Sequence, residues 1–219
     1  MDENVILSLT RAGIATATFR KLEPEKKELI YKNALKEFAT DIFDRVSLDK
    51  IAASAGVSKG SLLQYFTHKE NLLNFISEIF LSEYERVWDN YFVREHPIRA
   101  RDRVAAYLVT RFDSWEKERL EFAFYMKMQY ENSIDVSRKF RERILALRHR
   151  HILGMIERGI KTGEIRGDAE PDAIAFLIQS LSRNMEIAYQ MSLLTGRGKF
   201  NIKETADKLT LLIFDGISG

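Results

Sequence analysis

Cysteine is missing from all 219 residues, which excludes disulfides and thiolate metal sites and allows a reducing interior. Proline is confined to Pro24, Pro97 and Pro171, and glycine occurs eleven times. A protein of many short strands needs more turn residues than that, so the scarcity favours long helices. No run nears the roughly 20 apolar residues of a bilayer span. The opening stretch MDENVILSLTRAG lacks a basic n-region, and Arg11 interrupts its apolar run, which speaks against a signal peptide. Net charge is scarce as well, and at +2 it makes no electrostatic case for nucleic acid. What remains is 45% hydrophobic and 30% charged, enough for a buried core under a solvated surface. A soluble, cytoplasmic protein is expected. Charge is uneven along the chain. Residues 20–70 carry ten Lys/Arg against eight Asp/Glu, whereas residues 138–166 carry nine against three.

Pro24 suits a first helical position, and Ile30, Ala34 and Phe38 recur behind it at i, i+4 and i+8, so a helix is predicted over about 24–40. Residues 4–20 have weak periodicity and suit either a short helix or a loose arm. Ser47 is placed to cap a second helix through Ser54, with Ile51 and Ala55 inward, and Ser58 a third through about Phe66. Thr67-x-x-Glu70 reads as a capping box that opens a long helix ended by Pro97. Further helices are predicted near 98–117, 119–131, 134–162, 170–195 and 202–215. Their breaks are Asn132-Ser133, Thr162-Gly163, the link from Gly167 to Pro171, and Gly196-Arg197-Gly198. The fold class is all-α. Residues 1–22 are an N-terminal arm or short helix, 23–70 a small three-helix unit, and 71–219 a larger helical bundle.

The stretch IAASAGVSKGSLLQYFTHKE, residues 51–70, carries the most information. Two helices that cross steeply through a tight turn need a small residue at the crossing, here Ala52. The turn needs a residue that tolerates positive φ, here Gly56, and the second helix needs an apolar residue to close the seam, here Leu62. That spacing is the helix-turn-helix pattern, although on spacing alone an ordinary helix hairpin fits equally well. The longer run, residues 30–73, IYKNALKEFATDIFDRVSLDKIAASAGVSKGSLLQYFTHKENLL, resembles the DNA-binding domain of the tetracycline-repressor (TetR) family. The stretch IERGIKTGEIRGDAEPDAIAFLI is similar to a later helix junction of the same family, with less diagnostic force. Two positions depart from the family's pattern: Ile42 stands where glycine is usual, and Leu63 where tyrosine is usual.

The resemblance implies that residues 23–70 bind DNA with the third helix, about 58–66, in the major groove. Lys59 and Gln64 are the base readers, since Lys donates to guanine O6/N7 and Gln pairs with adenine. Ser47, Ser61 and Tyr65 offer hydroxyls to phosphate, and Ser58 and Gly60 lie on the same approach. Lys69 sits in a first helical turn, whose amides favour an anion. Leu63 is suited to a thymine methyl or a sugar. Asp49, near the same face, repels phosphate and either supports Lys50 or restrains off-target binding.

The second half is rich in aromatic and methionine side chains, which as they stand describe a well-packed core. The resemblance implies an effector pocket among them, for which Phe80, Tyr84, Trp88, Phe112, Trp115, Phe122, Tyr125, Met126, Ile144, Met155 and Met185 are the candidates. On the helix predicted at 134–162, Arg141 and Arg148 fall between two apolar stripes. Cations so placed are ion-paired or snorkelling, with Glu116, Glu118, Glu121 and Glu186 available, or they aim at an anionic end of a largely apolar effector. Apolar stripes also run along the last two helices. Ile174, Leu177, Ile178, Leu181 and Met185 lie on one, Leu209 and Ile213 on the other, and pairing them with a second copy gives a four-helix dimer interface.

No Ser/His/Asp set, phosphate loop or metal-ligand spacing is present, so neither an enzyme nor a cofactor or metal protein is expected. The expected function is a transcriptional regulator, acting as a repressor. A homodimer would bind a palindromic double-stranded operator and release it to a small apolar effector, with or without an acidic end. An all-helical ligand-binding or adaptor protein without DNA is the alternative. It would not need the exposed set Lys59, Ser61, Gln64 and Lys69.

Overall fold

The computed structural model describes residues 1–93, 99–132, 134–195 and 200–217, without the side chains of 90–93, 111, 113–116, 194 and 217. Pro97, Ser133 and Gly196-Arg197-Gly198, expected as helix breaks, fall outside these residues, as do the side chains of Trp115 and Glu116. The described residues form eleven α-helices and one 3-10 turn, with no strand among them. In chain order the helices are α1 (Glu3–Arg11), α2 (Ala17–Arg20), α3 (Pro24–Thr40), α4 (Leu48–Ser54), α5 (Lys59–Phe66), α6 (Lys69–Val93), α7 (Ala100–Lys117), α8 (Arg119–Tyr130), α9 (Asp135–Lys161), α10 (Pro171–Thr195) and α11 (Ile202–Ile217). The 3-10 turn, Phe43–Arg45, joins α3 to α4. No helix among the described residues is long and apolar enough to cross a membrane.

Local chemistry sets most of these boundaries. Pro24 begins α3, and the hydroxyls of Ser47 and Ser58 accept from Lys50 N and Ser61 N to cap α4 and α5. Gly56 takes φ +63°, so Val57 N and Gly56 N turn back to donate to Ala52 O and Ala53 O and satisfy the last carbonyls of α4. The capping box expected at Thr67 does not form. Thr67 instead ends α5, at φ 57° with its N–H bonded to Leu63 O. His68 takes over the cap of α6, its Nδ1 accepting from Asn71 N at 3.3 Å.

The chain divides into two compact units. The first contains residues 1–89 and 118–144, the second residues 90–117 and 145–219. In the first, residues 1–22 are no loose arm. Ile6, Leu9 and Phe19 are buried, and the Phe19 ring packs 4.8 Å from Phe66 and 4.9 Å from Phe75. Lys27, itself buried, bonds Glu3 at 2.7 Å and ties α1 to α3. Helix α3 packs along α8, so the first unit reaches well past residue 70. Burial, together with the charges of Glu121, Glu28, Glu83 and Glu118, pushes the Tyr31 phenol up at that contact.

In the second unit α7 packs against α11. A Cβ on Gly159 would come within 2.7 Å of Ile165 and 3.0 Å of Ala100, so the absent side chain is what lets α9 end against them. Glu164 caps α7 from across the chain, accepting from Ala100 N at 2.5 Å. The Phe112 and Tyr189 rings meet edge-on at 5.4 Å.

Candidate nucleic-acid interface

Helix α5 has a clear inside and outside. Leu62, Tyr65 and Phe66 are buried, while Lys59, Gly60, Leu63 and Gln64 are exposed and Ser61 is half-exposed. The structure therefore gathers most of the expected recognition residues on one solvent-facing side. Tyr65 is placed differently. It lies three residues beyond Leu62, shares that inward face, and places its ring 6.0 Å from Phe19. Its ring belongs to the core.

Three elements hold α5 in place. From α3, Lys26 Nζ donates to Gly56 O at 2.7 Å and Asn33 donates to Ser54 O at 3.4 Å, which fixes the helix-turn-helix turn. From the segment before α2, Thr16 donates twice to the C-terminal end of α5, its N–H to Tyr65 O and its hydroxyl to Gln64 O, both at 2.9 Å. From α4, Asp49 accepts from Lys59 Nζ at 2.8 Å, both side chains being exposed. The contribution of residues 1–22 was not legible in the sequence, because the Thr16 contact spans 48 positions.

Lys69 is also engaged. Its ammonium donates to Asp44 O at 3.1 Å and Val46 O at 3.3 Å and lies 4.7 Å above the Phe43 ring. It therefore ties the start of α6 to the 3-10 turn that leads into Ser47. The departure at Ile42 falls in this connection: Ile42 is extended, its side chain is exposed, and its N–H bonds the Asp41 carboxylate at 2.9 Å.

The effector candidates fall into the two units separately. In the first, the Phe80 ring stacks on Tyr84 at 6.3 Å and Tyr125 at 6.4 Å, and Phe124 and Phe140 join the cluster at 5.6 and 5.5 Å. Phe124 and Phe140 were not among the sequence candidates. Trp88, Phe122, Met126 and Ile144 are buried in this unit, and Phe112, Met155 and Met185 in the second. Trp115 lies outside the described side chains.

The two arginines are bound within the fold. Arg141 donates to Met128 O and Glu131 O at the end of α8. Arg148 meets Glu186 at 2.8 Å with both side chains almost fully covered, at 3% and 4%. The basic surplus of 138–166 is consumed the same way: Arg138 and Lys139 pair with Asp135, Arg143 with Glu78 and Arg166 with Asp168. The Lys139 and Arg138 contacts hold the exposed Asp135 carboxyl below its usual range. Among the described residues no group of three His, Asp or Glu is placed to hold a metal.

Of the stripe expected at the dimer interface, Ile174, Ile178, Met185 and Ile213 are buried within the single chain, Leu181 and Leu209 are half-buried, and Leu177 is exposed. Besides Leu177, the helix period leaves Phe176, Ile187 and Met191 on α10 and Leu211 and Leu212 on α11 exposed. Phe176 is 71% exposed and Leu212 70%, more than isolated surface residues need.

Residues 30–76 match the model of the bacterial regulatory proteins of the tetR family. An uncharacterised HTH-type transcriptional regulator, YhgD of Bacillus subtilis (strain 168), is 26% identical over 164 residues, 72% of this chain and 80% of YhgD. The fold is that of a TetR family regulator from Chloroflexus aurantiacus, with a TM-score of 0.66 at 18% identity, covering 94% of this chain and 99% of that one. The regulator FadR from Bacillus subtilis, solved in complex with stearoyl-CoA, has a TM-score of 0.71 at 17% identity, covering 87% of this chain and 99% of that one. The helix-turn-helix thus lies inside the stretch that matches the tetR family model, with a larger all-helical region behind it.

Proposed function

We propose that this protein is a tetR-family transcriptional regulator, a repressor that binds a palindromic operator as a homodimer and releases it when a small, largely apolar effector binds. The observation that carries the first part is the exposed row Lys59, Ser61, Leu63 and Gln64 on α5, held from three sides by α3, α4 and the Thr16 segment. Lys59 and Gln64 present donors suited to guanine and adenine edges, and Leu63 suits a thymine methyl. Selection from random duplex DNA should return a sequence with two-fold symmetry, because a dimer presents two such helices. Lys59→Ala should then cost about 1–3 kcal/mol of operator affinity and relax preference at one base pair of each half-site. If wild-type protein retains no duplex at low salt, the DNA-binding reading fails and the adaptor reading replaces it.

The exposed row on α10 and α11 supports the dimer, since burying Phe176, Leu177 and Leu212 against a second copy removes apolar surface from water. Phe176→Arg combined with Leu212→Arg should give monomers in sedimentation with operator affinity largely lost. Retained dimers would place the interface elsewhere. An apolar effector is supported by the aromatic cluster around Phe80 and by FadR of the same fold, which was solved with stearoyl-CoA. Each buried CH₂ contributes about 0.8 kcal/mol, so a modest acyl chain suffices for micromolar affinity. An acidic end would have to compete with the groups that already hold Arg141 and Arg148.

A further inference from the structure

We propose that the Asp49–Lys59 pair is a specificity latch that keeps the recognition lysine neutralised on non-cognate DNA and opens only on the operator. The pair links the first turn of α4 to the first turn of α5, at 2.8 Å, with Lys59 51% and Asp49 68% exposed. Both side chains are exposed at the solvent-facing side of the helix-turn-helix, so a duplex docked there meets both charges together. An acid at such a place is otherwise costly, because it repels phosphates at every sequence alike. Bound to Lys59, it removes one cation from the sequence-independent attraction that dominates non-specific binding. On the operator, a guanine edge offers Lys59 two acceptors, O6 and N7, that replace the carboxylate. A cytosine amino group can satisfy Asp49 in turn. The exchange is balanced only where those bases are present. Exposed pairs are weak enough to open on that scale.

The latch presupposes that α5 enters the groove, the reading proposed above. The test is a cycle of Asp49→Asn, Lys59→Gln and the double variant, with affinity for the selected operator and for a scrambled duplex measured across a salt series. Asp49→Asn should tighten binding to the scrambled duplex by about three- to tenfold and steepen its salt dependence by about one counterion. Operator affinity should change by less, so the specificity ratio falls. In the Lys59→Gln background the same substitution should relieve phosphate repulsion on both duplexes alike and leave the specificity ratio unchanged. An unchanged ratio overturns the latch, as does an equal fall in the ratio without Lys59, which would make Asp49 act independently of the lysine. Loss of affinity for both duplexes in Asp49→Asn would reduce it to a helix-start residue. Wild-type protein that binds no duplex fails the DNA-binding reading and the latch with it, and this shows before any variant is made.

Discussion

Glu186→Ala is expected to destabilise the second unit by about 3–5 kcal/mol, because it removes the carboxylate that the buried Arg148 guanidinium meets. The pair lies 38 positions apart in sequence and is covered almost completely on both sides, so water does little to screen the remaining charge. Replacing both partners by apolar residues of similar size, Arg148→Met with Glu186→Leu, should recover most of the loss, since desolvation of the pair offsets much of its attraction. Urea unfolding of the three variants measures this, and a Glu186→Ala cost below about 1 kcal/mol would mean that the site is wetter than its burial indicates. The same substitutions bear on the effector. If an acidic ligand uses Arg148, it must displace Glu186, and Glu186→Gln should sharpen the response of the protein–operator complex to fatty acids relative to the matching alcohols. An unaltered preference would leave Arg148 a structural cation and confine the effector's recognition to its apolar part.

Phe19→Ala should cost a similar amount, about 3–5 kcal/mol, and should weaken operator binding although Phe19 lies far in sequence from the recognition helix. Its ring is fully buried between Phe66 at the end of α5 and Phe75 in α6, with Tyr65 against it. Removing it opens a cavity under the C-terminal end of α5, where Thr16 makes its two bonds. Phe19→Leu should retain most of the stability and the affinity, because it refills most of the volume. Thermal unfolding and operator titration of both variants test this. If Phe19→Ala unfolds like wild type, residues 1–22 are an appendage and the DNA-binding unit begins at α3.

Sequence alone determined the features that depend on neighbours a few residues away. The caps by Ser47 and Ser58, the start at Pro24 and the turn at Gly56 are side-chain or backbone choices settled within one helical turn, which is why the helix-turn-helix and the all-α class were legible. Period and composition likewise showed that α9 carries arginines between apolar stripes and that α10 and α11 have more apolar surface than one face requires. Tertiary structure decided what those residues meet. Thr67 fits a capping box in sequence, but the reversal from α5 to α6 holds it at φ 57° and gives the cap to His68. Tyr65 and Lys69 match DNA-contact positions, but Phe19, 46 residues away, packs on the ring of the first, and carbonyls 23 and 25 positions away accept from the second. On α10 and α11, periodicity defines apolar rows without saying which is inner. Packing within the second unit covers Ile174, Ile178 and Ile213 and leaves Phe176 and Leu212 outside. Long-range packing chooses among alternatives that local patterning leaves equal, because the burial free energy that separates them exists only once the distant surfaces meet.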